Sequence, residues 1–217
     1  MVNSYILSFN FLDFFMRYTG PKAKKARRLG MAFTAKDAKV MQKRAYAPGQ
    51  HGQGRSRLSE YGMQLREKQK AKINYGVMER QFERYFNRAL KQTGVTGDNL
   101  LKLLEARLDN IVFRLGFAET RAQARQLVSH GFIEVNAKKV DIPSYSAKVG
   151  DVVSIRPSKH KSAYVEKMKE RVKNFQTQEW LQLDSQKLTG KILSLPTPEM
   201  INNLINTQLI VEHYSRT

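Results

Sequence analysis

Four arginines between positions 107 and 125 are the side chains best suited to do chemistry in this sequence. Arg107 and Arg114 lie in a segment whose apolar residues recur at the spacing i, i+3, i+4 and i+7, which predicts a helix with one buried stripe. The stripe consists of Leu108, Ile111, Val112 and Leu115. Arg107, Asn110 and Arg114 fall together along one flank, on the side predicted to be exposed. Guanidinium groups in a fixed array suit a phosphate backbone better than a catalytic pocket.

A second predicted helix carries the other two arginines and has clear start and stop signals. Thr120 is a good N-cap, and Gln123, three residues later, completes a capping box. Gly131 supplies a left-handed C-cap. Arg121 and Arg125 share one face of this helix, and aliphatic residues share another. Neither predicted helix contains lysine, which favours docking on a folded polyanion over a diffuse cationic cloud.

No combination of residues in the sequence matches a catalytic site. The chain has no P-loop, no G-x-S-x-G and no H-E-x-x-H pattern. Asp109 beside Arg107 is better placed to orient the arginine through an ion pair than to act as a general base. The glycine-rich run at 49–54 is a weak phosphate-loop signal and a reasonable RNA-contact loop. With no cysteine and four scattered histidines, the sequence predicts neither a metal site nor a cofactor. We therefore expect a binding protein and not an enzyme.

The charge balance points to a polyanionic partner. The chain has 38 Lys and Arg against 19 Asp and Glu, a net charge of +19 and a pI near 10.2. The excess is uneven, because residues 17–90 carry 19 basic and 5 acidic side chains whereas residues 173–217 carry 4 of each. The alternative, a merely solubilising surface, would normally mix both signs. The N-terminal third is thus the main predicted electrostatic surface for a polyanion.

The first part of the chain lacks hydrophobic periodicity. Residues 16–58 could not bury enough apolar surface to offset their ordering entropy, so we expect RNA to order them; a disordered tail is the alternative. Tyr18, Tyr46 and His51 are candidate groups for stacking on bases. Residues 1–15 are apolar but too short to span a bilayer. They are interpreted as a start-site artefact, with translation beginning at Met16, or as a genuine extension.

A helical pattern begins at Ser59, a possible N-cap. The first helix is predicted to run to Asn74, and Tyr75-Gly76 breaks it. A second helix is predicted to end at Gly94 and to bury one stripe against a core. That stripe consists of Met78, Phe82, Phe86, Ala89 and Leu90. A short helix, Leu100 to Glu105, follows.

Alternating apolar and polar residues after the paired helices predict strands at Phe132–Asn136, Lys139–Ile142 and Val152–Ile155. The turn at Ala137-Lys138 lacks the expected glycine, so its geometry is left open. A polar helix is predicted to reach about Asn174.

Three short apolar runs follow near the C-terminus. We expect all of them to pack back on the earlier helical domain. They are Glu179–Asp184, Gly190–Leu195 and Gln208–Val211.

Several motifs together carry a family resemblance. The run from Arg107 to Ile155 resembles the S4 RNA-binding domain through Arg114-Leu115-Gly116, Ala122 to Val128, His130-Gly131, Val135-Asn136 and Val149-Gly150-Asp151-Val152. Outside that run, the chain is similar to the bacterial small-subunit ribosomal protein S4 family, over 16–216. The matching motifs are Arg17-Tyr18-Thr19-Gly20-Pro21, Pro48-Gly49-Gln50-His51-Gly52, Tyr61-Gly62-Met63-Gln64-Leu65-Arg66-Glu67-Lys68-Gln69-Lys70 and Gln208-Leu209-Ile210-Val211-Glu212. Ala23 and Ala26 stand where many members carry a zinc-binding Cys-x-x-Cys, so the chain resembles the zinc-free branch.

The expected fold class is α+β. It comprises a basic RNA-binding arm (16–58), a mostly helical domain (59–104 plus 173–217) and an inserted S4 RNA-binding domain of two helices plus short antiparallel strands (105–172). The resemblance implies a structural, cytoplasmic protein of the small ribosomal subunit. It would be a primary binder of small-subunit ribosomal RNA that organises the 5′ domain during assembly and contributes to translational accuracy. The implied partners are small-subunit (16S-type) ribosomal RNA, neighbouring ribosomal proteins and messenger RNA near its point of entry, with no membrane.

Two alternatives stay open: an RNA-modifying enzyme, since pseudouridine synthases carry similar S4 domains, and a non-ribosomal RNA-binding factor. Few residues follow position 172 to form a catalytic domain, and the matches at both ends of the chain favour the ribosomal reading.

The residues predicted to bind ribosomal RNA are Arg17, Tyr18, Lys22, Lys24, Lys25, Arg27, Arg28, Lys43, Arg44, Tyr46, Gln50, His51, Arg55, Arg57, Tyr61, Gln64, Arg66, Lys68, Lys70, Lys72, Arg107, Arg114, Arg121, Arg125, Gln126, His130, Lys138 and Lys139.

Overall fold

The computed structural model describes residues 18, 20–54, 57–197, 199–201 and 205–216. Helices dominate, and a small antiparallel sheet completes an α+β fold, which confirms the predicted class. The extension at 1–15, the start at Met16 and two predicted RNA ligands, Arg17 and Arg55, lie outside the described residues. Within the described part of the chain, no helix combines the length and apolar character needed to cross a membrane.

The basic arm contains two helices of its own, α1 (Lys22–Leu29) and α2 (Ala35–Lys43). The sequence did not indicate these helices, and the expectation that RNA orders the arm stays a prediction. Ala26 and Leu29, three residues apart, are buried, and Arg66 Nε, from the helix that follows the arm, donates a hydrogen bond to the Leu29 carbonyl oxygen at 3.1 Å. Two buried residues in an eight-residue helix are too short a pattern for periodicity to reveal. The hydrogen bond from Arg66 ties α1 to the helix that follows the arm.

The first lobe is a helical core built from α3 (Glu60–Asn74), α4 (Glu79–Leu90), α5 (Thr96–Glu105) and the C-terminal helix α9 (Thr207–Ser215). The predicted start of α3 is confirmed, because the Ser59 side chain accepts a hydrogen bond from the Gly62 N–H at 3.2 Å. The predicted break is also confirmed, since Gly76 has a φ of 63°. Ile210 of α9 is fully buried in this core, as expected for the last apolar run.

Two boundaries in this lobe differ from the prediction. Helix α4 ends at Leu90 and not at Gly94, and α5 begins at Thr96, four residues before the predicted start. In the predicted stripe, Phe82, Phe86 and Ala89 are buried. Met78 and Leu90, at the two ends of α4, are 44% and 60% exposed because neither end is covered by a packing partner. The apolar stripe thus gave the helix face correctly and its length incorrectly.

The second lobe contains α6 (Leu108–Arg114), α7 (Arg121–Ser129), α8 (Ala163–Lys173) and a five-stranded sheet. The strands are β1 (Ile133–Val135), β2 (Lys138–Lys139), β3 (Val152–Ile155), β4 (Leu181–Asp184) and β5 (Thr189–Ile192), in the order β2-β1-β3-β5-β4 and all antiparallel. The four predicted stripe residues of α6 are fully buried in the core of this lobe.

The sheet corrects the predicted fate of the C-terminal segment. We expected Glu179–Asp184 and Gly190–Leu195 to pack on the helical domain, but β5 pairs with β3 and β4 pairs with β5. Their apolar side chains, with Trp180 only 1% exposed, complete the core of the second lobe. Gly190 lies against Leu115, and an added Cβ would come within 2.4 Å of the leucine methyl carbons. Alternation shows that a strand is half-buried but does not show which lobe covers it.

The hairpin turn between β1 and β2 lies one residue earlier than predicted. Val135 pairs with Lys138, so the turn residues are Asn136 and Ala137, with φ values of 51° and 60°. Two positive φ values define the turn type that suits a two-residue hairpin. The Asn136 side chain accepts a hydrogen bond from the Val152 N–H at 2.9 Å, which holds the turn against β3. Strand β2 is also shorter than the predicted strand at 139–142.

Truncating the α4 stripe should destabilise the first lobe. Phe82 is fully buried, so we expect Phe82→Ala to lower the free energy of unfolding by about 3–5 kcal/mol, through lost apolar burial and the cavity that remains. Leu90→Ala, in the same helix, should change it by less than about 0.5 kcal/mol. Urea unfolding followed by circular dichroism measures both; equal effects would contradict the packing described.

Candidate nucleic-acid interface

The two lobes meet at a buried carboxylate, Glu105, at the end of α5. This residue is 0% exposed and is surrounded by donors from both lobes. Arg114 of α6 donates from Nε at 2.9 Å and from Nη2 at 2.7 Å, while the Tyr75 hydroxyl donates at 2.7 Å. The Asn110 side-chain amide donates to the same carboxylate. Four hydrogen bonds to one buried anion satisfy its acceptor sites and link the lobes.

A second buried ion pair lies beside the first. Arg107 donates to both carboxylate oxygens of Asp109, at 3.0 and 2.6 Å, and its Nη1 donates to the Tyr85 hydroxyl of α4 at 2.9 Å. Arg107 is 1% exposed. Arg125 Nη1 of α7 approaches Asp109 Oδ2 at 3.7 Å. The assignment of Asp109 as an ion-pair partner is therefore confirmed, and the guanidinium of Arg107 faces the protein interior.

Arg121 completes the cluster by bridging α7 to the first lobe. Its Nε donates to Asn110 Oδ1 at 2.8 Å and its Nη1 donates to Asn74 Oδ1 at 3.1 Å. The guanidinium also lies over the rings of Tyr75 and Phe113, 5.0 and 4.6 Å from the ring centres. The predicted cap of α7 positions Arg121: Thr120 accepts a hydrogen bond from the Gln123 N–H at 3.3 Å.

In a capping box the side chain of Gln123 would also accept a hydrogen bond from the backbone N–H of Thr120, but here the donor is another residue. The Gln123 side chain accepts from the Glu119 N–H at 2.9 Å and not from the N-cap residue itself. Gly131, with a φ of 66°, ends the helix in the left-handed region, as predicted.

The electrostatics of the cluster follow from this geometry. Burial raises the pKa of Glu105, but the hydrogen bonds and charge of Arg114, with the charge of Arg121, outweigh it, so that the pKa lies below its ordinary value. Burial lowers the pKa of Arg107, but the charge and hydrogen bonds of Asp109 raise it by more, so that it lies above its ordinary value. Glu105 is therefore ionised, and each buried charge depends on its partners.

These contacts revise the predicted arginine array. Arg107 is wrong as an RNA ligand, because its guanidinium is enclosed and shared between Asp109 and Tyr85. Arg114, Arg121 and Arg125 keep only 15%, 16% and 18% of their side chains exposed, so RNA contact by these three stays a prediction. The helical spacing placed the arginines on one flank but did not show that the other lobe covers it.

Helix α3 shows the same effect. Lys68 is 8% exposed and its Nζ lies 2.9 Å from Glu79 Oε1, while Gln64 is 4% exposed and donates to Glu212 Oε2 at 3.2 Å. Both are wrong as open RNA ligands, since they hold α4 and α9 in place. Lys72 also pairs with Glu79, at 2.9 Å.

Glu79 is strongly perturbed by these two lysines. Partial burial raises the pKa of Glu79. Hydrogen bonds from Lys72 and Lys68 and their positive charges lower it by more, so that the pKa falls to about 2.

The remaining predicted ligands lie at the surface in two groups. Half-buried residues are Lys22, Lys25, Arg27, Arg66, Lys70 and Lys72. Exposed residues are Tyr18, Lys24, Arg28, Lys43, Arg44, Tyr46, Gln50, His51, Arg57, Tyr61, Gln126, His130, Lys138 and Lys139. The exposed cations concentrate in the arm, and two of its aromatic rings are held by neighbours: Lys25 lies 5.1 Å from the ring centre of Tyr18, and Arg27 lies 4.9 Å from that of Tyr46.

An exposed row of arginines on α4 was missed. Arg80, Arg84 and Arg88 are exposed at intervals of four residues, which places them along one side of the helix. Among the described residues none of the three has an ion-pair partner within 4 Å. Their i, i+4 spacing is readable in the sequence, on the side of α4 opposite the apolar stripe.

The comparisons with known proteins match this architecture. A family model described as the ribosomal protein S4/S9 N-terminal domain matches residues 17–105, and an S4 domain model matches residues 106–153. The fold and the cationic arm thus define an RNA-binding protein of the S4-domain class. The chain belongs to the family of small ribosomal subunit protein uS4.

Relatives with that name resemble the chain over nearly their whole length. The protein from Chloroflexus aurantiacus is 52% identical over 204 residues, which cover 92% of this chain and 99% of the relative. The relative from Thermoanaerobacter pseudethanolicus is 52% identical over 206 residues, and that from Akkermansia muciniphila 49% over 202, with the same coverage.

Removing the central negative charge should destabilise the junction between the lobes. Glu105→Gln would leave Arg114 and Arg121 without their buried counter-charge, so we expect the free energy of unfolding to fall by about 3–5 kcal/mol. The matched control is Glu119→Gln, whose partner Arg171 lies 3.2 Å away at the surface with the glutamate side chain 70% exposed. It should cost less than about 1 kcal/mol. Comparable losses in chemical denaturation would contradict a central role for Glu105.

The Glu79 contacts should make stability depend on acidity. A carboxylate whose folded-state pKa lies near 2, below the ordinary 4.5, stabilises the fold fully above 4.5 and loses that contribution as the pH falls towards 2. Glutamine imitates the protonated form, so Glu79→Gln should be less stable than the wild type near neutral pH and equally stable near pH 2. Unfolding curves recorded across this range measure the difference. A constant difference would show that the carboxylate charge is not what holds Lys68 and Lys72.

Proposed function

We propose that the chain is a structural constituent of the small ribosomal subunit that acts by binding small-subunit ribosomal RNA and catalyses no reaction. The supporting observation is the exposed cationic surface of the arm, which the fold anchors while it buries the arginines of the second lobe. The full-length similarity to proteins named small ribosomal subunit protein uS4 supports the same proposal.

In its finer form, the proposal makes this chain a primary binder that organises the 5′ domain of the RNA during assembly. Its further partners would be neighbouring ribosomal proteins and messenger RNA near the point where it enters the subunit, in the cytoplasm. A contribution to translational accuracy belongs to the same proposal. These roles rest on the family resemblance.

The physical mechanism combines electrostatic affinity with a fixed geometry. Lysines and arginines of the arm would neutralise phosphates and release counterions, which provides salt-dependent affinity. The arginines of α4 add a second cationic row on the first lobe. Because the cluster at Glu105 joins the lobes, RNA helices that contact both would be held in one arrangement, and binding would select that arrangement from those the free RNA samples.

Retention on purified small subunits tests the proposal. The chain, tagged at its C-terminus, should remain at one copy per subunit after a high-salt wash. Loss to the supernatant would favour the alternative of a transient S4-domain factor. An assay of treated ribosomal RNA for modified bases tests the enzyme alternative, and base modification would contradict a purely binding role.

Arm cations should dominate the salt dependence of RNA binding. Lys24 and Arg28, both exposed and four residues apart on α1, are replaced together by alanine. Each lost phosphate contact lowers the slope of log affinity against log salt by about one unit, so we expect a decrease of about two. Filter binding to transcribed small-subunit ribosomal RNA at several salt concentrations measures the slope.

The matched control removes Lys169 and Lys173, two exposed lysines four residues apart on α8. This control makes the same change in net charge on the second lobe, away from the arm, and should alter the slope by much less. If both pairs lowered the slope equally, total charge would account for the binding and the arm would have no special role.

A further inference from the structure

A cavity of about 220 Å³ lies where the arm, the first lobe and the second lobe meet. The arm contributes Tyr18, Lys25 and Phe33, the end of α3 contributes Lys72, and α7 contributes Arg121 and Arg125. Its volume is below the roughly 300–1,000 Å³ of pockets for drug-sized ligands. It cannot admit a nucleic-acid duplex, whose major groove alone is roughly 12 Å wide. Its occupant must be small or must be a single group extruded from a larger molecule.

The charge of the lining favours an anion. Five cationic side chains face the cavity, namely Lys22, Lys25, Lys72, Arg121 and Arg125, against the single carboxylate of Asp109. That carboxylate is already bound at both oxygens by Arg107. Within the part of the chain that the structure describes, Lys25 has no carboxylate within ion-pair distance. Lys72, Arg121 and Arg125 have carboxylates of the protein within 4 Å, so the position that favours an anion is the one beside Lys25.

The remaining lining favours a flat apolar group. Aromatic rings of Tyr18 and Phe33 come from the arm, Ile73 comes from the end of α3, and Val77 and Met78 come from the segment between α3 and α4. Phe33 is half-buried and lines the cavity. Aromatic and apolar walls next to lysines and arginines fit an unpaired base that carries its phosphate at the rim.

We infer that this cavity receives one unstacked nucleotide of the bound RNA, with its base against the apolar wall of Phe33 and its phosphate near Lys25. The inference rests on the proposed function and deepens it, since it adds a site for one base to the cationic surface. The site would distinguish an RNA that presents an unpaired base at this point from a regular helix of equal charge. A free nucleotide shares the same chemistry and is separated from RNA by the test below.

Cross-linking the complex of the full chain with transcribed small-subunit ribosomal RNA tests the inference. Ultraviolet light at a wavelength absorbed by bases should join one unpaired nucleotide to the peptide containing Tyr18 or Phe33, identified by mass spectrometry. Cross-links confined to peptides outside the cavity, in an RNA complex that forms normally, would overturn the inference and leave the proposed function intact. Failure of the wild-type chain to bind this RNA would instead overturn both.

Variants measure the contribution of the base. Phe33→Ala should lower affinity for the same RNA about tenfold, in keeping with the stacking of one base. The control is Phe175→Ala, which removes an aromatic ring that is 38% exposed and lies outside the cavity, and it should leave affinity unchanged. Circular dichroism confirms that both variants fold, and Phe33→Leu, which keeps bulk without an aromatic face, replaces Phe33→Ala if the latter does not. Equal affinities of variant and control would overturn the inference.

A binding experiment with adenosine monophosphate completes the test. If its binding saturates the cavity at micromolar concentration and displaces the cross-link without releasing the RNA, the occupant is a free nucleotide and the assignment to RNA is overturned. Weak or undetectable binding of the mononucleotide, with the cross-link retained, supports the assignment of the cavity to a base of the RNA, which other contacts between RNA and protein hold in place.

Discussion

The buried carboxylate of Glu105 is the interaction on which the arrangement of the two lobes depends. It stands at the last residue of α5, where the first lobe ends, and accepts hydrogen bonds from Tyr75 of that lobe and from Arg114 of the next. A buried anion without partners would lower the stability of the fold by several kcal/mol. Glu105 is tolerated because the donors around it are held in this geometry. The cluster therefore adds more to the specificity of the lobe orientation than to net stability, because a displaced lobe would leave charges unpaired.

This use of arginine separates two tasks within one basic protein. The arginines of α6 and α7 are shared with Asp109, Glu105 and aromatic rings, which suits a guanidinium because its planar fork binds carboxylates at two points and stacks on rings. Exposed cations remain in the arm, along α4 and on the second lobe, where Lys169 and Lys173 of α8 lie at the surface. Orientation of the lobes therefore rests on buried arginines, whereas we propose that affinity for a polyanion rests mainly on the exposed cations of the arm.

Local signals in the sequence were sufficient for local structure. The caps at Ser59 and Thr120, the glycine at 131 and the buried stripe of α6 follow from hydrogen-bond and packing rules that act within a few residues. Contacts between distant segments were not readable. Trp180 and the last two strands join the second lobe, and Tyr85 covers Arg107, because partners far apart in the chain leave no periodic trace. Arg107 was wrongly predicted to be exposed for the same reason, because Tyr85 of the other lobe covers its guanidinium. The candidate residues that reach the surface stay predictions.

The most direct test of this account is a distance measurement between the lobes of the free protein. The chain contains no cysteine, so spin labels can be attached at Asn87→Cys on α4 and Lys169→Cys on α8, both exposed positions. Pulsed electron paramagnetic resonance should give one narrow distance distribution that does not change when small-subunit ribosomal RNA is added. A broad distribution in the free protein that narrows only with RNA would contradict the account, because the RNA and not the Glu105 cluster would then fix the lobes.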